Sequence, residues 1–241
     1  VGSEMCIRDS FDTGHAVIAP YLRYLGVHRI DRLVISHGDN DHIGGADSLL
    51  QAFPVDNILT SVPAAFAGRR ALRCTRGMHW SWDGVEFMLL HPARDDAYRG
   101  NNASCVLNIR IAGGQGLLLP GDIEQEAERD LLRREGDNLA STVLVVPHHG
   151  SRTSSTEPFV KAVDPALALV PAGYRNRYRF PRPQVIARYA ARGSQVLETG
   201  QSGAITVRLS PHSARPEVTR LRRSWPRLWR RPEQGATQFG Y

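Results

Sequence analysis

Residues 36–45 read SHGDNDHIGG and follow directly on the apolar run Leu33, Val34 and Ile35. Two histidines and two aspartates, all able to bind a metal ion, therefore fall within six residues after a short apolar strand. Such a stretch is either a solvated turn that caps the next helix or a cluster of metal ligands. The residues that follow the other apolar strands of the chain decide between these two interpretations.

Two more apolar strands end close to residues of the same kind. GLLLP, residues 116–120, leads to Asp122, and TVLVVP, residues 142–147, leads to His148 and His149. Loops at strand ends collect binding groups because the sheet fixes their positions while the loop backbone is free of strand pairing. We therefore predict that metal ligands come from all three loops, namely His37, Asp39, Asp41, His42, Asp122, His148 and His149.

The predicted ligands suggest a division between two ions, with His37 and Asp39 on one. Asp41 and His42 would then bind the second, and Asp122 could bridge the two because a carboxylate has two oxygens. An aspartate after glycine is also a common helix N-cap, so Asp122 has a structural alternative. For the histidine pair, the alternative is a strand end with one buried histidine. The residues do not say which of the pair binds metal or phosphate.

Composition narrows the class of protein. A chain of 241 residues with 41% hydrophobic content can form one sizeable α/β domain. No apolar run approaches the ~20 residues that span a bilayer, and there is no signal-peptide pattern, so we expect the chain as given to be soluble. The three cysteines form no CxxC spacing, which favours buried or incidental thiols over a disulfide framework or a zinc knuckle.

Along the chain, the pattern predicts one domain between two segments of different character. Residues 1–10, VGSEMCIRDS, have no periodicity and are interpreted as a non-native leader. Residues 11–210 alternate strands with helices and form the predicted α/β domain. Residues 211–241 form a basic arginine and tryptophan tail with seven arginines against two glutamates, which is most of the net charge of +6. The tail suits DNA contact, a membrane-proximal surface or a disordered end.

The motifs resemble a known fold family. HGDNDH is similar to the HxHxDH signature of the metallo-β-lactamase fold, with FDTG upstream and PGD downstream in the places that this family uses. More narrowly, SHGDNDHIGG, NNASCVL, LLLPGDIE, VPHHGSRTSS, YRNRYRFPRP and TGQSGAI occur in the order found in the C-terminal domain of the ComEC/Rec2 DNA-internalisation family. The resemblance implies a four-layer αββα sandwich, lacking its first strands in this chain. It also implies that Asp12 supports the metal loop without being a ligand.

Three positions depart from the family patterns. Asp39 stands where the wider superfamily has a second histidine, and a carboxylate there favours Mn²⁺ or Mg²⁺, with Zn²⁺ as an alternative. The next histidine ligand of the superfamily is replaced within NNASC, so one or two ions are expected. Phe180 stands where ComEC-like sequences often have histidine, so no metal or substrate role is assigned to it.

The resemblance implies a metal-dependent phosphodiesterase that degrades or processes DNA during natural transformation. Asp41, Asp39 and His149 are the predicted catalytic residues, with Asp41 orienting the nucleophile. The predicted substrate contacts are Ser151, Asn102, Ser104 and Asn176. The implied partners are DNA, as a single strand, and the channel region of a parent protein in the bacterial inner membrane; no organic cofactor is expected. Two alternatives are a non-catalytic DNA-binding module and a hydrolase of small esters or nucleotides.

Overall fold

The computed structural model of the chain describes residues 12–213 and 215–224. The predicted leader, residues 1–10, lies outside the described residues. So do residues 225–241, which hold Trp225 and Trp229 of the predicted tail. The predictions made for these two segments, and the expectation that the fold lacks its first strands, stay predictions.

Strands and helices alternate through most of the described chain. The strands are β1 (Ile30–Ile35), β2 (Val55–Thr60), β3 (Ala71–Arg73), β4 (His79–Trp82), β5 (Val85–His91), β6 (Val106–Ile111), β7 (Gly116–Leu119), β8 (Val143–Val145), β9 (Leu167–Val170), β10 (Gln195–Glu198), β11 (Ile205–Arg208) and β12 (Glu217–Arg220). The α-helices are α1 (Ala19–Tyr24), α2 (Asn40–Ile43), α3 (Ala46–Ala52), α4 (Gln125–Glu135), α5 (Glu157–Val163), α6 (Pro183–Ala191), α7 (Thr199–Ser202) and α8 (Leu221–Ser224). Within the described ranges, no helix has the length and apolar character needed to cross a bilayer.

Three sheets organise these strands. The first sheet has the order β1-β2-β3 and is parallel throughout. The second has seven strands in the order β10-β9-β8-β7-β6-β5-β4, parallel from β10 to β7 and antiparallel from β7 to β4. The third is the antiparallel hairpin of β11 and β12. The carboxyl ends of the parallel strands β7, β8 and β9 therefore share one edge of the large sheet.

The two larger sheets pack face to face between two layers of helices. On β2, Ile58 faces α3 while its neighbour Leu59 packs with Leu89 and Leu107 of the seven-stranded sheet. Successive side chains of a strand point to opposite faces, so both faces of the small sheet are buried. The other face of the large sheet packs against α4, α5 and α6, where Phe159 is fully buried. The order helix, sheet, sheet, helix confirms the predicted αββα sandwich.

The hairpin of β11 and β12 continues the fold beyond residue 210. Val207 and Val218 of the hairpin pack with Leu167 and Leu197 of the parallel half of the large sheet. Part of the segment interpreted as a basic tail is therefore attached to the domain by an apolar face. β12 reads Glu-Val-Thr-Arg, with Val218 and Arg220 partly buried and Glu217 and Thr219 exposed, so a single apolar residue marks it as a strand.

A disulfide joins the two larger sheets, and the prediction of incidental thiols is wrong for two of the three cysteines. Cys74 follows β3 in the small sheet, Cys105 precedes β6 in the large sheet, and their Sγ atoms are bonded. Their Cα atoms lie 5.9 Å apart although 31 positions separate them in the chain. The pairing arises from sheet packing, so a rule based on local cysteine spacing does not detect it.

Candidate metal centre

The predicted ligand loops meet at one edge of the sandwich. The backbone N–H of Cys105 donates to the Ser36 carbonyl at 2.8 Å, which ties the end of β1 to the start of β6. The backbone N–H of His148 donates to the Gly121 carbonyl at 3.2 Å, which ties the loop after β8 to the loop after β7. The three stretches that the sequence singled out therefore converge because neighbouring strands deliver them to the same place.

Four side chains form the centre of this edge: Asp41, His42, Asp122 and His149. One ligand atom of each lies within 4.8 Å of the others. The Asp122 carboxylate lies between the histidines, with Oδ1 3.2 Å from His42 Nε2 and Oδ2 3.4 Å from His149 Nε2. Asp41 Oδ2 is 3.3 Å from the same His149 nitrogen. Donor atoms bound to one tetrahedral ion lie about 3.4 Å apart, so this spacing suits a single metal ion.

The donor atoms of this group fit a cation. Nε2 of His42 and of His149 is buried and makes no hydrogen bond of good geometry within the described residues. Buried ring nitrogens without a partner are costly unless something else satisfies them. Two imidazoles and two carboxylates are a donor set that divalent transition metals accept. The group therefore fits the divalent metal that the ligand pattern predicts.

Charges within the group shift the pKa of its members in opposite directions. Burial opposes ionisation of Asp122, but His149 and His42 beside it hold the pKa of that carboxyl well below its usual range. Burial acts to lower the pKa of His149, yet its contacts with Asp122 and Asp41 raise that pKa to about 10. The two carboxylates thus favour a positive charge at His149 Nε2, which lies between them. A metal cation would supply that charge.

A left-handed turn selects His149 as the inward histidine. His148 and His149 have φ values of 47° and 52°, in a region that non-glycine residues rarely adopt. His149 is 1% exposed, and its Nδ1 donates to the Pro171 carbonyl at 2.8 Å, which directs Nε2 toward Asp122. His148 instead has Nδ1 3.2 Å from Glu124 Oε1 and stands outside the group of four.

His37 and Asp39 lie next to the group rather than in it. The His37 ring is 1% exposed and 4.1 Å from the His42 ring, and its Nε2 also lacks a hydrogen-bond partner among the described residues. Asp39 Oδ2 is 3.6 Å from that nitrogen, but its side chain is 57% exposed. The structure therefore places the predicted first pair beside the centre, and in the part of the chain that the structure describes no third ligand of comparable strength joins them. The preference for Mn²⁺ or Mg²⁺ was argued from Asp39, so it stays a prediction.

The aspartate of FDTG supports the ligand loop from outside. The Asp12 carboxylate accepts hydrogen bonds from the hydroxyl of Ser48 on α3 and from the backbone N–H of His15. These bonds, led by that of Ser48, lower the pKa of Asp12. The loops also touch directly, because a Cβ on Gly14 would lie 2.0 Å from the Gly45 carbonyl oxygen. Only glycine permits this approach.

The predicted substrate contacts have different surroundings. Ser104 is fully buried, and its hydroxyl donates to the Asn101 carbonyl and accepts from the backbone N–H of Asp122. The Asn102 side chain accepts from the backbone N–H of Glu124 at 2.8 Å. Ser151 is 6% exposed and hydrogen-bonded to the Thr153 hydroxyl. Their observed contacts support the loops, and substrate roles for them stay predictions; the same holds for Asn176, whose contacts are described below.

Replacing Ser104 by alanine is expected to lower the free energy of unfolding by about 1–3 kcal/mol, because the buried N–H of Asp122 loses its acceptor. Urea denaturation of the metal-free protein measures this change. The matched control is Ser141→Ala, a buried serine whose hydroxyl donates to the Leu139 carbonyl. A Ser104→Ala protein no less stable than this control would contradict a supporting role for the hydroxyl.

The sequence reasoning missed one side chain at this edge. Glu124 has Oε1 2.7 Å from the Thr153 hydroxyl, which donates to it, and 3.2 Å from His148 Nδ1. It therefore orients His148, the first histidine of the left-handed turn. Glu124 lies two residues after Asp122, and that proximity to a predicted ligand was the available signal.

Comparisons with known proteins agree with the geometry. The profile of the Metallo-beta-lactamase superfamily matches residues 11–174. The chain is 40% identical over 200 residues to Competence protein ComA of Neisseria gonorrhoeae, covering 81% of this chain and 28% of that protein. It is 35% identical over 190 residues to Recombination protein 2 of Haemophilus influenzae, covering 79% of this chain and 24% of that protein. The chain thus spans about a quarter of the length of these relatives.

A solved structure shows the same fold at low sequence identity. Igni18, a metallo hydrolase of the archaeon Ignicoccus hospitalis, superposes with a TM-score of 0.51 at 18% identity. The match covers 73% of this chain and 78% of that one. The ComEC/Rec2 resemblance is confirmed by these competence and recombination relatives, and the ligand loops fall inside the matched profile. On the strength of that profile match, the chain belongs to the metallo-beta-lactamase superfamily, whose members bind divalent metal.

Proposed function

We propose that the chain is a metal-dependent phosphodiesterase that cleaves DNA, acting within a larger DNA-uptake protein. The observation that carries the proposal is the group of Asp41, His42, Asp122 and His149, whose ligand atoms lie within 4.8 Å of one another. Two relatives named for competence and recombination support DNA as the substrate. Membership of the superfamily and the metal-binding group support a metal-dependent hydrolase. The proposal adds DNA as the substrate that is cleaved.

The side chains have separable roles in such a reaction. A divalent ion bound by the group would activate water and neutralise charge that develops on the phosphoryl oxygens. Asp122 joins His42 to His149 and would hold the ligand set together. The Asp41 side chain is 19% exposed, more than that of Asp122 at 7%, so its carboxylate is better placed to orient the attacking water.

One alternative has an observation in its favour. Among the described residues, the NNASC stretch brings the buried Ser104 to His37, with its hydroxyl 3.3 Å from Nδ1. That hydroxyl also bonds to backbone groups and is not a strong third ligand for His37 and Asp39. A metal centre without a full set of ligands at His37 and Asp39 would suit a non-catalytic module that binds DNA. In either case, we place the parent protein in the bacterial inner membrane, with the channel region of that protein as partner.

Cleavage of labelled single- and double-stranded DNA tests the proposal, with Mn²⁺, Mg²⁺, Zn²⁺ or a chelator present. We expect cleavage that the chelator abolishes and that Asp41→Asn reduces by about 100-fold or more, as for loss of a group that stabilises the transition state. The matched control is Asp47→Asn, an exposed aspartate on α3. DNA binding without cleavage under all conditions would favour the binding module. Absence of both would favour a small-ester or nucleotide substrate.

A further inference from the structure

We propose that residues 174–182, here called the arginine–tyrosine segment, bind single-stranded DNA next to the metal centre by base stacking and phosphate contact. The inference deepens the proposed function and rests on it for the identity of the polymer. The segment reads YRNRYRFPR and connects β9 to α6. Within it, Asn176 is the residue that the sequence predicts as a substrate contact.

The arginine–tyrosine segment lies against the turn that positions His149. The backbone N–H of Arg182 donates to the Gly150 carbonyl at 2.9 Å. A Cβ on Gly150 would lie 2.6 Å from Pro181 Cβ, so the two loops are in direct contact. The Phe180 ring packs edge-on against the His148 ring, with centroids 5.8 Å apart. A polymer held at the metal centre would therefore reach this segment within a short length of chain.

The segment is held in shape without regular secondary structure. The Asn176 side chain donates to the carbonyls of Gly173 and Phe180 and accepts from the backbone N–H of Phe180. The backbone N–H of Arg179 donates to the Asn176 carbonyl. Asn176, predicted as a substrate contact, thus has its amide engaged inside the loop. A loop braced in this way presents its outward side chains with little ordering cost on binding.

Two tyrosines of the segment are exposed to solvent. Tyr174 is 58% exposed and Tyr178 is 41% exposed. Tyr178 stacks on Phe180 with centroids 5.7 Å apart and 18° between the ring planes. The Arg175 guanidinium lies over the Tyr174 ring at 5.3 Å, and that of Arg177 lies over Tyr178 at 4.8 Å. Exposed rings interleaved with arginine are typical of surfaces that stack unpaired bases and contact the backbone between them.

The charge around the segment favours a polyanion. Four arginines fall within eight residues, and no aspartate or glutamate occurs between Asp164 and Glu198. The segment borders a cavity of about 1100 Å³, with Ile186 and Gln201 on its other sides and Glu198 as an acidic residue in its lining. Bases in a duplex are already stacked on one another, so exposed rings select the single strand.

Fluorescence anisotropy with a labelled oligothymidylate of about 16 nucleotides tests the proposal, since single-strand binders occupy sites up to that length. The titration is run with chelator present, so that cleavage does not remove the probe. We expect Tyr178→Ala to weaken binding about ten-fold, as for loss of one stacking ring, and Tyr178→Phe to bind as the unchanged chain does. Arg175→Gln with Arg179→Gln should reduce the slope of log affinity against log salt by about 1.4, as for two phosphate contacts.

The control variants remove a tyrosine or two arginines at other places on the surface. Tyr24→Ala removes a tyrosine that is 84% exposed on α1, and Arg29→Gln with Arg208→Gln removes two arginines that pair with surface carboxylates. These variants should bind the oligonucleotide as the unchanged chain does. Equal binding by the unchanged chain and both segment variants would overturn the inference, as would losses no larger than those of the controls.

A second readout separates this inference from the proposed function. Hydrolysis of bis(p-nitrophenyl) phosphate with Mn²⁺ reports on the metal centre without bases to stack. Tyr178→Ala should leave that hydrolysis unchanged and raise KM for oligothymidylate while kcat is kept. If the chain binds the oligonucleotide through the segment but cleaves no phosphodiester, the proposed function fails and the inference stands. If it cleaves DNA with the same KM in Tyr178→Ala, the inference fails and the proposed function stands.

Discussion

Replacing Asp122 by asparagine is expected to weaken divalent-metal binding by about 100-fold or more, since changes even to groups that only support a ligand cost 10–100-fold. The carboxylate has one oxygen near His42 and the other near His149, so it is the connection between two loops. Asparagine keeps the shape but removes the charge that attracts the cation. Metal-dependent cleavage of DNA should be lost with it.

Isothermal titration with Mn²⁺ and with Zn²⁺ measures the loss, and circular dichroism checks that the variant is folded. Asp31→Asn, an exposed aspartate on β1, is the matched control and should bind metal as the unchanged chain does. Metal binding by Asp122→Asn that equals this control would contradict the assignment of the centre.

Asp39→Asn tests for a second ion in the same titration. If the unchanged chain binds two ions and this variant binds one, the second ion lies at His37 and Asp39.

Removing the Cys74–Cys105 disulfide is expected to lower the free energy of unfolding by about 3.7 kcal/mol, the loop-closure value for cysteines 31 residues apart. The bond closes a loop between sheets, so the unfolded chain gains freedom when it is broken. Cys105 also adjoins Ser104, which holds the backbone of Asp122. Its removal should therefore loosen the metal centre as well.

Urea denaturation with and without reductant measures the effect. Reductant should lower the midpoint of the unchanged chain and have no effect on the Cys74→Ala/Cys105→Ala double variant. Thiol titration of the unfolded protein should find one free thiol before reduction and three after it. Three thiols before reduction, or a midpoint indifferent to reductant, would contradict the bond.

Much of the fold could be predicted because its longest elements carry strong local patterns. The apolar run of β1 and the acidic start and apolar stripe of α4 place these elements closely. Other elements carry weaker local patterns, and β3, β4 and α5 are examples. β3 has only three residues, β4 reads HWSW and is largely exposed, and α5 begins with Glu-Pro inside a stretch that resembles a loop. Short or exposed elements take their structure from their neighbours more than from their own sequence.

The sequence predicted the ligand loops but not the final membership of the centre. Strand ends located Asp122 and the histidine pair without any knowledge of their distances. What could not be predicted was the left-handed turn that directs His149 inward and leaves His148 beside Glu124. Likewise, Asp39 and Asp41 are alike as ligand types, and only the start of α2 at Asn40 orients Asp41 toward His149. Tertiary contacts set both outcomes.

The left-handed backbone at His148 and His149 limits which amino acids positions 148 and 149 tolerate. Two consecutive residues with φ near 50° oppose β-branched side chains, whatever chemistry they carry. Glycine and asparagine enter this conformation easily, but neither supplies an imidazole. The turn therefore holds His149 in an unfavourable backbone conformation, and this conformation places its ring nitrogen at a fixed position. We therefore expect backbone geometry to limit substitutions at both positions, and the need for a ligand nitrogen to limit them further at position 149 alone.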